Sequence, residues 1–136
     1  MLVSTRGRYA LRVMVDLAQH QDQGLTPMKD VAQRQQISLK YLERILPVLS
    51  RHHYIEGTQG KGGGYQLTRP PEAYRVGDIL RLTEGDLAPV ACLEVGAAPC
   101  QQRDTCPTRS LWCELGRRVN EYLDSVTLAD LMQNSL

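Results

Sequence analysis

The sequence predicts a mainly α-helical protein with one small β-hairpin, and two observations carry that prediction. Apolar residues recur at the i, i+3, i+4, i+7 spacing of amphipathic helices in several separate stretches of the 136 residues. Residues 54–68 depart from this period, because two short alternating segments there flank the glycine-rich stretch QGKGGG. A chain of this length buries roughly two-thirds of its unfolded surface, so it needs no disulfide framework.

Composition narrows the class of protein. With 42% hydrophobic and 23% charged residues, the chain has the make-up of a folded domain rather than a disordered one. It contains no run of about 18 apolar residues that would span a membrane, and its first ten residues do not resemble a signal peptide. We therefore expect a cytoplasmic protein, in a compartment where clustered cysteines bind metal or sense redox state more often than they form disulfides.

Charge is distributed unevenly along the chain. Residues 1–75 hold 11 Lys/Arg against 6 Asp/Glu, whereas residues 76–136 hold 5 against 9. This asymmetry indicates that the first part faces a polyanion. Chance segregation of solvated charge is the alternative.

The first two helices follow from periodicity and capping. The first helix has four inward residues: Ala10, Val13, Met14 and Leu17. After an interruption at residues 21–25, Thr26 suits an N-cap and Pro27 the first position of a second, short helix. Its inward residues are Met28, Val31 and Ala32.

The third helix is amphipathic with a basic outer side. Ser38 is a good N-cap, and Ile37 before it is placed to pack on Leu42 as a hydrophobic staple. The apolar face consists of Leu42, Ile45, Leu46 and Leu49. The opposite face carries Lys40, Arg44, Pro47 and Arg51. Pro47 lacks a backbone donor, so a kink is expected there.

Two short strands, residues 54–58 and 64–68, form a hairpin with Lys61 at its tip. A further short helix containing Val76, Ile79 and Leu80 ends near Gly85.

The last long helix is predicted to begin at Pro107, with Cys106 at or beside its N-cap. Its apolar face contains Leu111, Leu115, Val119 and Tyr122, widened by Trp112 and Leu123. Such a face outside the first compact unit predicts a homodimer; the alternative is that the helix folds back on its own domain. Thr127 and Asp130 form a capping-box pattern that starts a final short helix.

Helix, short helix, basic helix and glycine-tipped hairpin, in this order, describe a winged helix-turn-helix that binds double-stranded DNA. Basic side chains suit phosphates and guanine edges, Glu43 suits cytosine, and Tyr41 suits phosphate or a thymine methyl. The GKGGGY segment does not match the phosphate-binding loop pattern GxxxxGK[ST]. The candidate DNA contacts are Ser38, Lys40, Tyr41, Glu43, Arg44, Arg51, Gln59 and Lys61.

All four cysteines lie in the last third of the chain, at the spacing C-x7-C-x5-C-x6-C. Structural zinc sites pair cysteines two to four residues apart, and ferredoxin spacings also differ. A trio of thiolates in one loop suits an iron–sulfur cluster, and a thiol at a helix N-terminus has a lowered pKa. A disulfide pair and incidental free cysteines are the alternatives.

The order GRYAL, ISLKYLERIL, GKGGGYQLTR and VGDIL, followed by CPTRSLWCEL and YLDSVTLADL, resembles the Rrf-type winged-helix regulators over nearly the whole chain. The resemblance implies that Cys92, Cys100 and Cys106 ligate a [2Fe–2S] or [4Fe–4S] cluster. It also implies a dimer interface along the helix at residues 107–124, and a third helix and hairpin that enter the major and minor grooves of DNA.

The chain departs from the family pattern at two positions. Arg109 stands where some members carry a histidine ligand, and guanidinium has no lone pair to offer iron. Cys113 is a weak candidate for the fourth ligand, because it lies about two helical turns, roughly 10 Å, from Cys106. Gln59 stands where many relatives have arginine, so Lys61 is expected to supply the charge of the wing.

We therefore expect a homodimeric transcriptional repressor that senses iron–sulfur status, redox state or nitric oxide. Residues 1–85 would bind DNA, residues 86–106 would form the cluster loop, and residues 107–136 would hold the dimerisation and C-terminal helices. The alternatives are a thiol–disulfide switch without a cluster and an iron–sulfur electron carrier. No enzyme is expected, since His20, His52 and His53 have no nucleophile or carboxylate partner in the sequence pattern.

Overall fold

The computed structural model describes residues 3–136. Within that range the chain forms six α-helices and one two-stranded antiparallel hairpin, which confirms the predicted fold class. The elements are α1 (Thr5–Gln19), α2 (Met28–Gln35), α3 (Leu39–Arg51), β1 (Ile55–Thr58), β2 (Gly64–Leu67), α4 (Val76–Glu84), α5 (Arg109–Ser125) and α6 (Leu128–Gln133). Among these described residues, no helix is both long and apolar enough to cross a lipid bilayer.

Helix α1 lies at the centre of the fold, where it packs against α2, α4, α6 and β2. The inward residues predicted for the first and third helices are all buried, as the 3.6-residue period requires. Val31 of α2 is also buried, and the predicted staple residues Ile37 and Leu42 lie in the same hydrophobic core. Pro47 lies inside α3, which continues through it to Arg51.

The second helix begins one residue later than predicted. Pro27 occupies the N-cap position of α2, and Thr26 exchanges two backbone hydrogen bonds with Tyr65 of β2, each 2.9 Å long. Thr26 is therefore wrong as a cap, because its backbone is used to pair with the hairpin. Gly64 is required at this contact, since a Cβ there would overlap the backbone of Thr26.

The C-terminal segment returns to the core of the first helices. The Val76 amide donates to the Val126 carbonyl (2.8 Å), and the Leu128 amide donates to the Tyr74 carbonyl (3.1 Å). Thr127 caps α6 in the predicted capping box, and α6 packs on α1. The division at residues 85 and 106 remains a prediction; residues 1 and 2 of its first unit lie outside the described residues.

A buried carboxylate ties α1 to α2. Asp16 is fully buried, and it accepts hydrogen bonds from Arg34 Nη2 (2.7 Å), Arg34 Nε (3.0 Å) and Gln35 Nε2 (2.9 Å). Burial by itself raises the pKa of the Asp16 carboxyl, but the hydrogen bonds from Arg34 and Gln35 outweigh it, so the pKa lies below its ordinary value.

Arg34→Leu is expected to lower the free energy of unfolding at pH 7 by about 1–2 kcal/mol, because it removes the arginine charge and leaves the buried Asp16 carboxylate with the neutral Gln35 amide and with His20, whose Nδ1 lies 3.6 Å from Oδ1. A carboxyl with a depressed folded-state pKa stabilises above its unfolded pKa, and this contribution is lost as pH falls through the folded pKa. Urea unfolding should therefore show the difference at pH 7, and the difference should shrink as pH falls below the ordinary carboxyl pKa and through the lowered pKa of Asp16. Arg8→Leu is the control, because Arg8 is exposed and, within the described residues, its side chain bonds to Thr5 alone. A loss that does not shrink as pH falls would contradict the assigned charge effect.

Candidate DNA-reading face and thiol cavity

Helix α3 presents its polar side to solvent. Ser38 caps the helix, and its hydroxyl accepts a hydrogen bond from the Tyr41 amide (3.1 Å). Four predicted contacts on α3 are exposed, and within the described residues none of the four joins an ion pair. They are Lys40, Glu43, Arg44 and Arg51. Their charges are therefore available to a ligand.

Tyr41 differs from these residues because it is half-buried. Its ring meets Tyr9 of α1 edge-on, with the ring centroids 5.4 Å apart and the planes at 74°. Part of this side chain thus fixes α3 to α1.

The wing tip and α3 enclose an open cleft of about 520 Å³. Glu43 lines it from α3, and Gln59 and Lys61 line it from the hairpin. Lys29, in the first turn of α2, also lines the cleft. The sequence pattern did not single out Lys29, because an isolated lysine on a short helix carries no signal. Lys40, Arg44 and Arg51 lie outside this cleft, on the rest of the exposed side of α3.

The base of the wing is held by an aromatic pair. Tyr54 and Tyr74 meet edge-on at 5.6 Å, and the Tyr74 hydroxyl donates to the Tyr54 carbonyl (2.7 Å). The guanidinium of Arg69 lies over both rings, 4.6 Å and 4.9 Å from their centroids. The hairpin is thereby fixed to the domain next to α3.

Three of the four cysteines line one cavity. Cys92, Cys100 and Cys106 surround a space of about 340 Å³, together with Arg103, Arg109 and Trp112 among others. Cys92 and Cys100 are exposed and Cys106 is half-buried. Within residues 3–136, no three His, Cys, Asp or Glu side chains converge closely enough to hold a single metal ion. The three thiols thus line the wall of a cavity and do not converge on one position.

Asp86 closes the start of residues 86–106, which carry Cys92, Cys100 and Cys106 and are called the thiol loop below. Its two carboxylate oxygens accept hydrogen bonds from the Ala88 amide (2.8 Å) and the Val95 amide (2.6 Å). A short 3₁₀ turn at Ala91–Leu93 lies inside this closure and carries Cys92. Asp86 therefore determines the path of the chain around the first thiol.

Helix α5 begins at Arg109 with Thr108 as its N-cap, so the predicted start at Pro107 is wrong. The Cys106 amide is committed to the preceding turn, where it donates to the Gln102 carbonyl (2.7 Å). Cys106 still lies at the helix N-terminus, and the Thr108 hydroxyl lies 3.4 Å from its sulfur. The Thr108 side chain, the amides of Thr108 and Arg109 and the Arg109 charge hold the pKa of the Cys106 thiol below its usual value.

Cys113 lies outside the cavity of the other three thiols. With Cys106 and Arg109 it lines a neighbouring open groove, and Arg109 Nη1 donates to its sulfur at 3.5 Å. Arg109 and Cys106 therefore both line the cavity and the neighbouring groove.

Helix α5 carries an exposed apolar stripe. None of its residues, all of them within the described range, is fully buried. Leu111, Leu115 and Tyr122 are 56%, 40% and 57% exposed. They lie about 180° around the helix from Asn120 and Asp124, which hydrogen-bond to α4. The apolar stripe thus faces away from the chain's own domain.

Comparison with known proteins identifies the family. Residues 3–134 match the family model described as Rrf2, iron-dependent transcriptional regulator. The chain belongs to the Rrf2 family. It is 41% identical over 135 residues to protein rrf2 of Nitratidesulfovibrio vulgaris, covering 99% of this chain and 89% of that protein.

Two solved structures resemble this Rrf2-family chain over its whole length. The structure of CymR, the global cysteine regulator of B. subtilis, matches with a TM-score of 0.84 and 35% identity, and the match covers 100% of this chain and 99% of that one. The T. potens IscR structure matches with a TM-score of 0.78 and 36% identity, covering 100% and 89%. The chain is therefore a winged-helix transcriptional regulator of a non-enzymatic class, as predicted.

Proposed function

We propose that this Rrf2-family protein is a cytoplasmic, homodimeric repressor whose DNA affinity depends on an iron–sulfur cluster held by Cys92, Cys100 and Cys106. The observation that carries the proposal is the single cavity lined by these three thiols. Thiolates are the donors that such clusters take. When bound, a cluster would supply a redox-active and nitric-oxide-reactive centre.

The charges around the cavity suit an anionic group. Arg103 and Arg109 line it beside the thiols, and the lowered pKa of Cys106 favours the thiolate that binds metal. Arg109 itself has no lone pair to donate, so the fourth ligand comes from elsewhere. A fourth position not filled by a cysteine of this cavity would leave room for a small reactive molecule, as a sensor requires.

DNA binding is assigned to α3 and the wing. We place α3 in the major groove, with Lys40, Arg44 and Arg51 at phosphates or guanine edges and Glu43 at cytosine. Lys61 and Gln59 would reach the neighbouring minor groove from the hairpin, with Ser38 and Tyr41 at the start of α3. The unpaired charge of the exposed α3 residues supports this assignment.

The dimer is assigned to the exposed stripe of α5. Two copies that meet along Leu111, Leu115 and Tyr122 would bury apolar side chains that one chain leaves in water. The thiol loop, residues 86–106, connects α4 to α5. A change in the conformation of that loop would therefore alter the orientation of the two DNA-binding domains, residues 1–85 of each protomer, relative to the dimer axis.

The test begins with anaerobic purification, followed by the visible spectrum and counts of iron and acid-labile sulfide per chain. Equal counts of two or four are expected. DNA is then selected from a random-sequence duplex library, and the affinities of cluster-loaded and cluster-free protein are measured at one fixed salt concentration. They should differ by about tenfold or more, which is about 1.4 kcal/mol of coupling. Colourless, iron-free preparations or equal affinities would contradict the proposal.

A thiol–disulfide switch is the second candidate. Its support is the similarity to the cysteine regulator CymR, together with a second thiol, Cys113, in the groove next to Cys106. Preparations without iron and sulfide whose DNA affinity changes with thiol oxidation would favour it. The electron-carrier alternative is not retained, because the chain belongs to a family of transcriptional regulators.

A further inference from the structure

The packing contact between α4 and α5 joins the proposed DNA-reading domain, residues 1–85, to the helix that carries the proposed dimer interface. Helix α5 packs on α4, and no α5 residue in the described chain is fully buried. Half-buried Leu123 of α5 packs against a small buried cluster formed by Val76, Leu80, Leu87 and Val126, so only a small apolar contact at one end of α5 contributes to its orientation. Polar contacts at this junction have a correspondingly larger share in setting the angle between the two helices.

Arg81 of α4 makes a forked contact with the C-terminal end of α5. Its Nη1 donates to Asp124 Oδ1 (2.8 Å) and its Nη2 donates to Asp124 Oδ2 (3.1 Å). The same Nη2 donates to Asn120 Oδ1 (2.6 Å). A planar guanidinium bonded in parallel to both carboxylate oxygens, and to a residue one turn away, resists rotation of one helix against the other.

Two neighbouring residues of α4, Asp78 and Gly77, make the forked contact of Arg81 possible. Asp78, one turn earlier on α4, accepts from Arg81 Nη1 at 3.3 Å and orients the guanidinium from its own helix. Gly77 provides the space for the carboxylate, since a Cβ there would overlap Asp124 Oδ1. A larger residue at position 77 would therefore displace the Asp124 carboxylate from the fork.

The fork lies at the opposite end of α5 from the thiols. Arg109, beside the thiol cavity, precedes Asp124 by 15 residues, which is about 22 Å along the helix. Pro89 of the thiol loop lies against α5 between these ends, where a Cβ on Gly116 would stand 3.2 Å from its Cδ. The thiol loop therefore touches α5 at its N-terminal end and in its middle, and Arg81 contacts the C-terminal end beside the Val76–Val126 backbone hydrogen bond.

We propose that Arg81 is the positioning residue that sets the angle between the DNA-reading domain and α5. It would thereby set the separation of the two α3 helices in the homodimer. The inference rests on the proposed dimer through α5. Stability alone does not explain the fork, because the side chains of Arg81 and Asp124 are both 31% exposed, and partly solvated ion pairs contribute little to folding.

The test compares Arg81→Met with Arg117→Met. Arg117 also makes two ion pairs of 2.6 Å, with Glu114 and Glu121, but both partners lie on α5 itself. The probes are duplexes selected from a random library by the wild-type protein: one with both half-sites, one with a single base pair inserted between them, and one with a single half-site. One inserted base pair moves the half-sites apart by about 3.4 Å and rotates them.

Wild type and Arg117→Met are expected to lose about tenfold in affinity on insertion of the base pair. Arg81→Met should lose less than about threefold, because α5 would then be held to α4 without the fork, by the Val76–Val126 backbone hydrogen bond and the packing of Leu123, and would tolerate more than one spacing. Its affinity for the single half-site and its dimeric sedimentation should be unchanged. Arg81→Lys, which keeps the charge but not the fork, should relax the spacing preference as well, and it serves as the readout if Arg81→Met does not fold.

The possible failures are distinguishable. If wild type distinguishes the two spacings and the Arg81 variants do so equally, the positioning role is overturned and the proposed dimer stands. If wild type sediments as a monomer or ignores spacing, the proposed dimer itself fails, and the inference fails with it.

Discussion

Leu111→Glu combined with Tyr122→Glu is expected to convert the protein into monomers that fold normally. Both side chains are more than half exposed on the outer side of α5, so each substitution leaves the interior of the chain untouched. Across a two-fold interface the pair of changes removes four large side chains, each contributing about 1.5–3 kcal/mol when fully buried. It also places like charges opposite one another.

Loss of the dimer should remove most of the DNA affinity. A monomer binds one half-site at a time, so affinity for a duplex with two half-sites should fall by about 100-fold or more. Sedimentation equilibrium and titration of the selected duplex check the two effects separately. Leu136→Glu, at another exposed large apolar residue, is the control and should leave both unchanged. A variant that remains dimeric would show that α5 is not the interface.

The reading domain was predictable because its signals are local. Each inward residue of α1 and α3 follows from periodicity within one helix, and Ser38 and Thr127 are caps that act on residues three positions away. The hairpin ends fell within one residue of the prediction for the same reason. The first residues of helices were harder to predict. Pro107 is compatible with a first helical turn, but the Cys106 amide bonds to the preceding turn and the helix begins only at Arg109.

The contacts that position the site were not predictable, because they join residues far apart in sequence. Asp16 and Arg34 are 18 positions apart, and Arg81 and Asp124 are 43 apart. Single charged residues on amphipathic helices ordinarily face water, so periodicity gives no sign of such a pair. The positions of Cys92, Cys100 and Cys106 in the sequence predicted that these three thiols share one loop. Their arrangement around one cavity depends on backbone bonds, such as those accepted by Asp86, that have no sequence signature.

Cys106→Ser is expected to abolish iron retention, with less than about a tenth of the wild-type iron per chain after anaerobic preparation. A serine hydroxyl stays protonated at neutral pH, whereas the Cys106 thiol is biased toward thiolate by Thr108, by two amides and by Arg109. The variant has lost one of the three proposed cluster ligands, and the two that remain, Cys92 and Cys100, are both exposed. The DNA affinity of the variant should then equal that of cluster-free wild type.

Cys113→Ser is the matched control, because Cys113 is an exposed thiol beside Arg109 that does not line the cavity. It should keep wild-type iron, and a variant that lost its iron would instead make Cys113 a ligand. The lowered pKa of Cys106 gives an independent check on cluster-free protein. Since alkylation requires thiolate, the rate at which iodoacetamide modifies Cys106 should reach half of its high-pH maximum at a lower pH than for free cysteine. A half-maximum at or above the pH found for free cysteine would contradict the local electrostatics on which the proposed cluster binding at Cys106 rests.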